Sequence, residues 1–295
     1  MIDNNKQYPA KLLLFGEYGI LSGLKALAVP FRKFYGELEF KEDLNNSLLL
    51  LFAYLKSINH ELKYNLDLKK LDADIRSGLY FKSSIPQNYG LGSSGALVAA
   101  LFENYQSNNI NLKNIPLHIL KSDLAKIESF FHGKSSGIDP LISLINSPLL
   151  FENNQIETVK ANFKFPKNSG FFLLDSHTTG KTSGLVQSFL KKLEDKLFKE
   201  IFMHAYTTFS NGAIDCLLTS DFHEFIEKFI RLSEYQLNEM KDLIPPSVQK
   251  IFKDGINKGK HMVKICGSGG GGYFLGFSTD IATAKQDLES GVLYL

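Results

Sequence analysis

The chain predicts an α+β protein in two lobes, and three observations carry that expectation. Short apolar runs that read as strands dominate the first part of the sequence. Helical periodicity takes over from Gly184 to Met240, and strand-like runs return near the end. The division is expected near residues 162–169, giving lobes of 1–165 and 166–295.

Taken in order, Ala10–Phe15 is an apolar run interrupted by one lysine and ended by Gly16-Glu17-Tyr18-Gly19, a strand meeting a turn. Ala26–Pro30 and Tyr35–Phe40 read as two further strands, the second with period-2 alternation. Leu44–Ile58 has the apolar spacing of a helix. Gly78–Phe81 reads as a short strand that leads through Pro86 into a glycine loop. The good helix formers Ala96–Leu101 follow that loop directly. A second helix is expected over Ser122–His132, where Leu124, Ile127 and Phe131 form a stripe, Ser122 caps the start and Gly133 ends it. Lys134–Pro140 reads as a polar turn, Phe171–Asp175 as a buried strand and residues 176–182 as the loop after it. Pro245-Pro246 breaks the helical stretch before a short helix over Val248–Lys258. The strands Val263–Cys266 and Tyr273–Phe277 flank a second glycine-rich segment.

Composition narrows the function. A hydrophobic content of 44% with 22% charged residues describes an ordinary globular chain, and a net charge of +2 gives no case for nucleic acid or a membrane surface. Cys216 and Cys266 are too few and too far apart for a disulfide framework or a zinc site, which fits a reducing cytoplasm. Met1–Tyr8 is polar, unlike a signal peptide, and no apolar run approaches the ~20 residues that span a bilayer. The histidines show no metal-ligand spacing, so structural roles are expected for them.

The chemistry concentrates at Gly90-Leu91-Gly92-Ser93-Ser94-Gly95. Glycines let a backbone approach an anion, and a helix start leaves N–H groups without intrahelical partners, so the stretch suits phosphate. A serine hydroxyl at such a mouth can ligate a phosphate-bound Mg²⁺. A glycine turn with a serine N-cap explains the same residues. The G-x-G-x-x-G spacing also suits a nicotinamide-dinucleotide turn, but that fingerprint follows a strand directly and here a loop precedes it. Gly267–Gly272 holds five glycines in six positions, either for close backbone packing or as a second loop closing on phosphate. Lys11 within its apolar run, Glu128 beside its helical stripe and Asp139 before Pro140 each admit a plain structural role.

Three segments together resemble the GHMP kinases. Pro9–Tyr18 is similar to the first motif of that family, Pro86–Ala96 to its phosphate loop and Lys264–Gly272 to its glycine-rich third motif. Glu128–Asp139 is similar to the segment carrying the family's metal-binding Glu and catalytic Asp. The resemblance implies a ribosomal S5 domain 2-like N-terminal lobe and a ferredoxin-like C-terminal lobe. It implies an ATP- and Mg²⁺-dependent kinase acting on a small hydroxylated acid, mevalonate first, with phosphomevalonate, the acceptor of another small-molecule GHMP kinase or a non-catalytic binding role as alternatives. Nucleic acid and membrane are not expected partners, and a homodimer is left open.

Carried over residue by residue, Asp139 is the catalytic carboxylate and Lys11 its partner, with Ser94 and Glu128 the Mg²⁺ ligands. Gly90, Leu91, Gly92, Ser93, Ser94 and Gly95 cradle the nucleotide, joined by Gly269 and Gly270. Glu17 and Tyr18 stand at the acceptor pocket, Tyr18 where relatives that phosphorylate mevalonate usually carry His. Cys266 replaces a Thr of the third motif. Asp139 is expected to orient the acceptor hydroxyl or accept its proton, and Lys11 to stabilise the charge building on the attacking oxygen.

Overall fold

The computed structural model describes residues 6–41, 46–107, 111–161, 163–179, 182–288 and 291–295. Leu44 of the expected first helix, Asn162 of the expected boundary, and Gly180 and Lys181 of the expected loop lie outside them. Two compact units emerge, and each is assembled from separated segments. The first takes residues 1–11, 29–87 and 91–147; the second takes 12–28, 88–90 and 148–295.

The strands are β1 (Tyr8–Phe15), β2 (Ala26–Phe40), β3 (Leu79–Ser83), β4 (Leu149–Glu152), β5 (Gln155–Thr158), β6 (Gly170–Asp175), β7 (His261–Ile265), β8 (Tyr273–Ser278) and β9 (Val292–Tyr294). The helices of the first unit are α1 (Asn46–Ile58), α2 (Leu68–Arg76), α3 (Ser93–Tyr105), α4 (Leu117–His132) and α5 (Ile138–Ile145). Those of the second are α6 (Thr182–Lys192), α7 (Lys196–Ala205), α8 (Gly212–Thr219), α9 (Phe222–Glu239), α10 (Pro246–Lys258) and α11 (Ile281–Asp287).

Ala26–Pro30 and Tyr35–Phe40, expected as two strands, are one strand of 15 residues. Pro30 does not break it, because it falls between the residues registered with β4 (Ala26–Ala28) and those registered with β3 (Gly36–Phe40). The first sheet runs β1-β2-β4-β5, with β3 also paired to β2. The second runs β7-β8-β6-β9, with every pair antiparallel. In β6, β7 and β8 nearly every residue is buried, so apolar runs such as Phe171–Leu174 replace simple alternation. Helices α9 and α10 pack on β7.

Helix α3 is buried along most of its length, from Gly95 and Ala96 through Tyr105. A helix apolar all round belongs inside, and its small residues let α5 and α4 approach. Two local expectations need correction. Helix α4 begins five residues before Ser122, with Pro116 in the N-cap position and Leu120 extending the buried stripe; Phe131 at its far end is exposed. Residues 138–140, expected in a turn, instead open α5. Gly137 caps that helix at φ 72°, and Pro140 occupies its first turn, where a missing N–H removes no intrahelical bond.

Candidate active site

The first unit assembles a compact polar cluster from β1, α3, α4 and α5. The backbone N–H of Lys11 on β1 donates to the Leu91 carbonyl (2.9 Å), and Ser143 Oγ of α5 donates to the Pro9 carbonyl (2.7 Å). These two bonds fix β1 beside the loop and helix that carry the remaining groups. Lys11 Nζ then lies 2.9 Å from Asp139 Oδ1. The lysine side chain is 8% exposed and the aspartate 28%, so the pair is held from behind and reachable from outside.

Glycine at two loop positions has a definite cause. Gly92 caps α3 at φ 74°, a conformation costly for other residues, and a Cβ there would sit 3.1 Å from Asp139 Oδ2. A Cβ on Gly95 would come within 2.8 Å of the backbone carbon of Asp139 and of the Pro140 nitrogen. Close packing of α3 on α5 therefore explains Gly95. The same packing brings the N-terminal end of α3 against the Asp139 carboxylate.

Glu128 is 3% exposed and sits behind this pair on α4. Its Oε1 accepts from Ser94 Oγ (3.1 Å), and its Oε2 accepts from Ser135 Oγ. Burial first, and then the negative charge of Asp139, push its carboxyl up to about 7 from an ordinary 4.5. The hydrogen bonds from Ser135 and Ser94 and the charge of Lys11 act in the opposite direction. Two carboxylates thus face one ammonium, with a serine hydroxyl alongside. Hard oxygen donors with excess negative charge suit Mg²⁺, which typically takes one or two carboxylates and completes its shell with phosphates and water. Among the described residues no group of three His, Cys, Asp or Glu side chains could hold a metal without such help.

The second unit gives other expected residues different work. Glu17 is 2% exposed, and its Oε1 accepts from Lys264 Nζ at 2.5 Å. Lys264 is fully buried, donates also to the Ile265 carbonyl (2.6 Å) and lies over the Phe15 ring. Glu17, expected at the acceptor pocket, thus forms a core ion pair. Tyr18 is likewise buried, packs on Phe189 and donates to the Ser268 carbonyl (2.6 Å). Burial and, secondarily, the charge of Glu17 hold its phenol well above the usual tyrosine range.

The glycine-rich segment 267–272 also favours the packing explanation at the two positions assigned to the nucleotide. The Gly270 N–H donates to the Leu243 carbonyl (2.7 Å), so it is not presented to a phosphate. A Cβ on Gly270 would meet Leu185 Cδ1 at 2.2 Å, and one on Gly269 would meet the Leu243 carbonyl at 2.6 Å. Residues 88–90, which open the first glycine loop, belong to this unit. A Cβ on Gly272 would lie 2.8 Å from Tyr89 Cα, and one on Gly267 would lie 3.7 Å from Gly90 Cα.

Residues 51–146, which contain α3, α4 and α5, match the family model described as GHMP kinases N terminal domain. A mevalonate kinase of Pyrococcus abyssi is 26% identical over 315 residues, covering 94% of this chain and 90% of that protein. Residues 51–146 thus match the N-terminal domain of the GHMP kinases. Solved structures share the fold of this chain at low identity. The crystal structure of L. major mevalonate kinase in complex with R-mevalonate gives a TM-score of 0.63 at 15% identity, covering 98% of this chain and 94% of that one. Streptococcus pneumoniae phosphomevalonate kinase in complex with phosphomevalonate and AMPPNP gives 0.68 at 16%, covering 98% and 99%.

Two polar neighbours of this cluster escape a reading by motif. His132 Nε2 lies 3.1 Å from Ser94 Oγ, although spacing gave the histidines structural roles. The available signal was its place four residues after Glu128, on the same helix face. Ser135 binds Glu128 across the α4–α5 turn, a contact that no helical or strand period marks.

Proposed function

We propose that this kinase transfers the γ-phosphoryl group of ATP to a hydroxyl of a small hydroxylated acid, with mevalonate the first acceptor to test. The observation that carries the reading is the 2.9 Å pair of Lys11 and Asp139, set against the Gly92 cap of α3. The names of the relatives favour mevalonate. Phosphoryl transfer asks a protein for positioning and charge neutralisation more than for covalent chemistry.

Residues 90–95 would cradle the nucleotide phosphates through their backbone N–H groups and the start of α3. Ser94 and Glu128 would hold Mg²⁺, which when bound neutralises charge on the phosphate oxygens. Asp139 would orient the acceptor hydroxyl and take its proton as the bond to phosphorus forms. Lys11 would stabilise the charge developing on the attacking oxygen. Among the described residues no helix is long and apolar enough to cross a membrane, and we assign the activity to the cytoplasm.

The test is ADP release from ATP and Mg²⁺ across a panel of hydroxylated acids, including mevalonate and phosphomevalonate. Acceptor-dependent ADP with mevalonate supports the proposal, and ADP with phosphomevalonate alone moves the acceptor one phosphorylation later. Nucleotide binding without ADP formation on any acceptor would make the chain a binding protein and reject the kinase mechanism.

A further inference from the structure

His132 closes the last turn of α4 with an exposed side chain, yet its Nε2 lies 3.1 Å from Ser94 Oγ. The Ser94 hydroxyl has one proton and two lone pairs, and it also donates to Glu128 Oε1 (3.1 Å). Both demands can be met while Glu128 is its acceptor, with the imidazole N–H donating to Oγ. They can no longer be met in that way if Ser94 and Glu128 both turn oxygen lone pairs toward a cation. The hydroxyl proton must then point away from the cation, and the His132 ring nitrogen is an acceptor already within reach.

We propose that His132 is a positioning residue that takes the Ser94 hydroxyl proton in a hydrogen bond and so aims the Ser94 oxygen at the metal. The proposal rests on the assignment of Ser94 and Glu128 as Mg²⁺ ligands. It requires the neutral imidazole with its proton on Nδ1, so the exposed ring gives up its Nε2 proton and gains one at Nδ1 by exchange with solvent, with no net change in protons. Glu128 has a matching outer partner in Ser135, whose hydroxyl donates to Oε2 and accepts from the Gly137 N–H (3.0 Å). Each ligand thereby has one neighbour that fixes its orientation, and outer partners of this kind tune metal affinity by about 10–100-fold.

The experiment measures Mn²⁺ binding by electron paramagnetic resonance in the presence of AMPPNP, so that no turnover is involved. His132→Ala is expected to weaken Mn²⁺ by about 10-fold. His132→Gln, whose amide oxygen can accept the same bond, should recover most of the affinity. In a Ser94→Ala background, His132→Ala should add nothing. Wild-type Mn²⁺ affinity in His132→Ala, or an equal loss with and without Ser94, would overturn the proposal while leaving the ligand assignment standing. Unchanged Mn²⁺ binding in both Ser94→Ala and Glu128→Gln would remove the ligand assignment itself, and the role of His132 with it.

Discussion

The Glu128 carboxyl is 3% exposed and burial pushes it up to about 7, so Glu128→Gln should change stability in a pH-dependent way that no surface substitution would reproduce. A carboxyl whose folded value lies above its unfolded value stabilises the fold at low pH, and that contribution is lost as pH rises. With an unfolded value of 4.5 and a folded value of about 7, the loss accumulates from about pH 4.5 to just above 7. At 1.36 kcal/mol per unit, the wild type should lose about 2–3 kcal/mol on this account between pH 5 and pH 8. Glutamine carries no titrating proton, so the variant should gain that amount relative to wild type across the same interval. Urea unfolding without divalent metal, at pH 5, 6, 7 and 8, measures the difference. Stability curves that stay parallel, or a variant that falls behind as pH rises, would refute the buried-carboxyl argument. If Glu128 holds Mg²⁺ as proposed, the same variant should also lose Mg²⁺-dependent turnover.

Three further outcomes follow from the geometry. Asp139→Asn keeps the shape of the side chain but removes its charge, so kcat should fall by about 10²–10⁴-fold in ADP-release assays while nucleotide affinity is retained; normal turnover would remove Asp139 from the mechanism. Lys264→Met removes the ammonium that faces the buried Glu17 carboxylate and should cost about 3–5 kcal/mol in urea unfolding; Glu17→Gln in the same chain should recover part of the loss. Gly95→Ala drives a methyl group to within 2.8 Å of Asp139 and Pro140 backbone atoms, and it should destabilise by about 1–3 kcal/mol with a raised KM for ATP; full stability would mean that α3 can retreat from α5.

Periodicity legislated the local elements. The apolar spacing of Leu124 and Ile127 specified a buried face of α4, and Phe171–Leu174 specified a covered strand. Gly133 in the left-handed region ended its helix where expected. Boundaries were less legible where a signal worked against its usual meaning. Pro30 reads as a break but falls between two registers of one strand, and Ser122 reads as a cap but lies inside α4 because the stripe reaches back to Leu120.

Motif spacing could nominate Lys11, Ser94, Glu128 and Asp139, since the chemistry of a residue is written in its type. It could not supply the neighbours of Glu17, Tyr18 and Gly270, which are set by contacts between residues as far apart in sequence as 17 and 264. Tertiary packing decided that Glu17 finds an ammonium in the core, that Gly270 donates to a carbonyl, and that His132 reaches Ser94. The physical reason is range. Local propensity acts over a turn or a strand, whereas burial, charge pairing and the direction of a hydrogen bond depend on which distant segment fills the adjoining space.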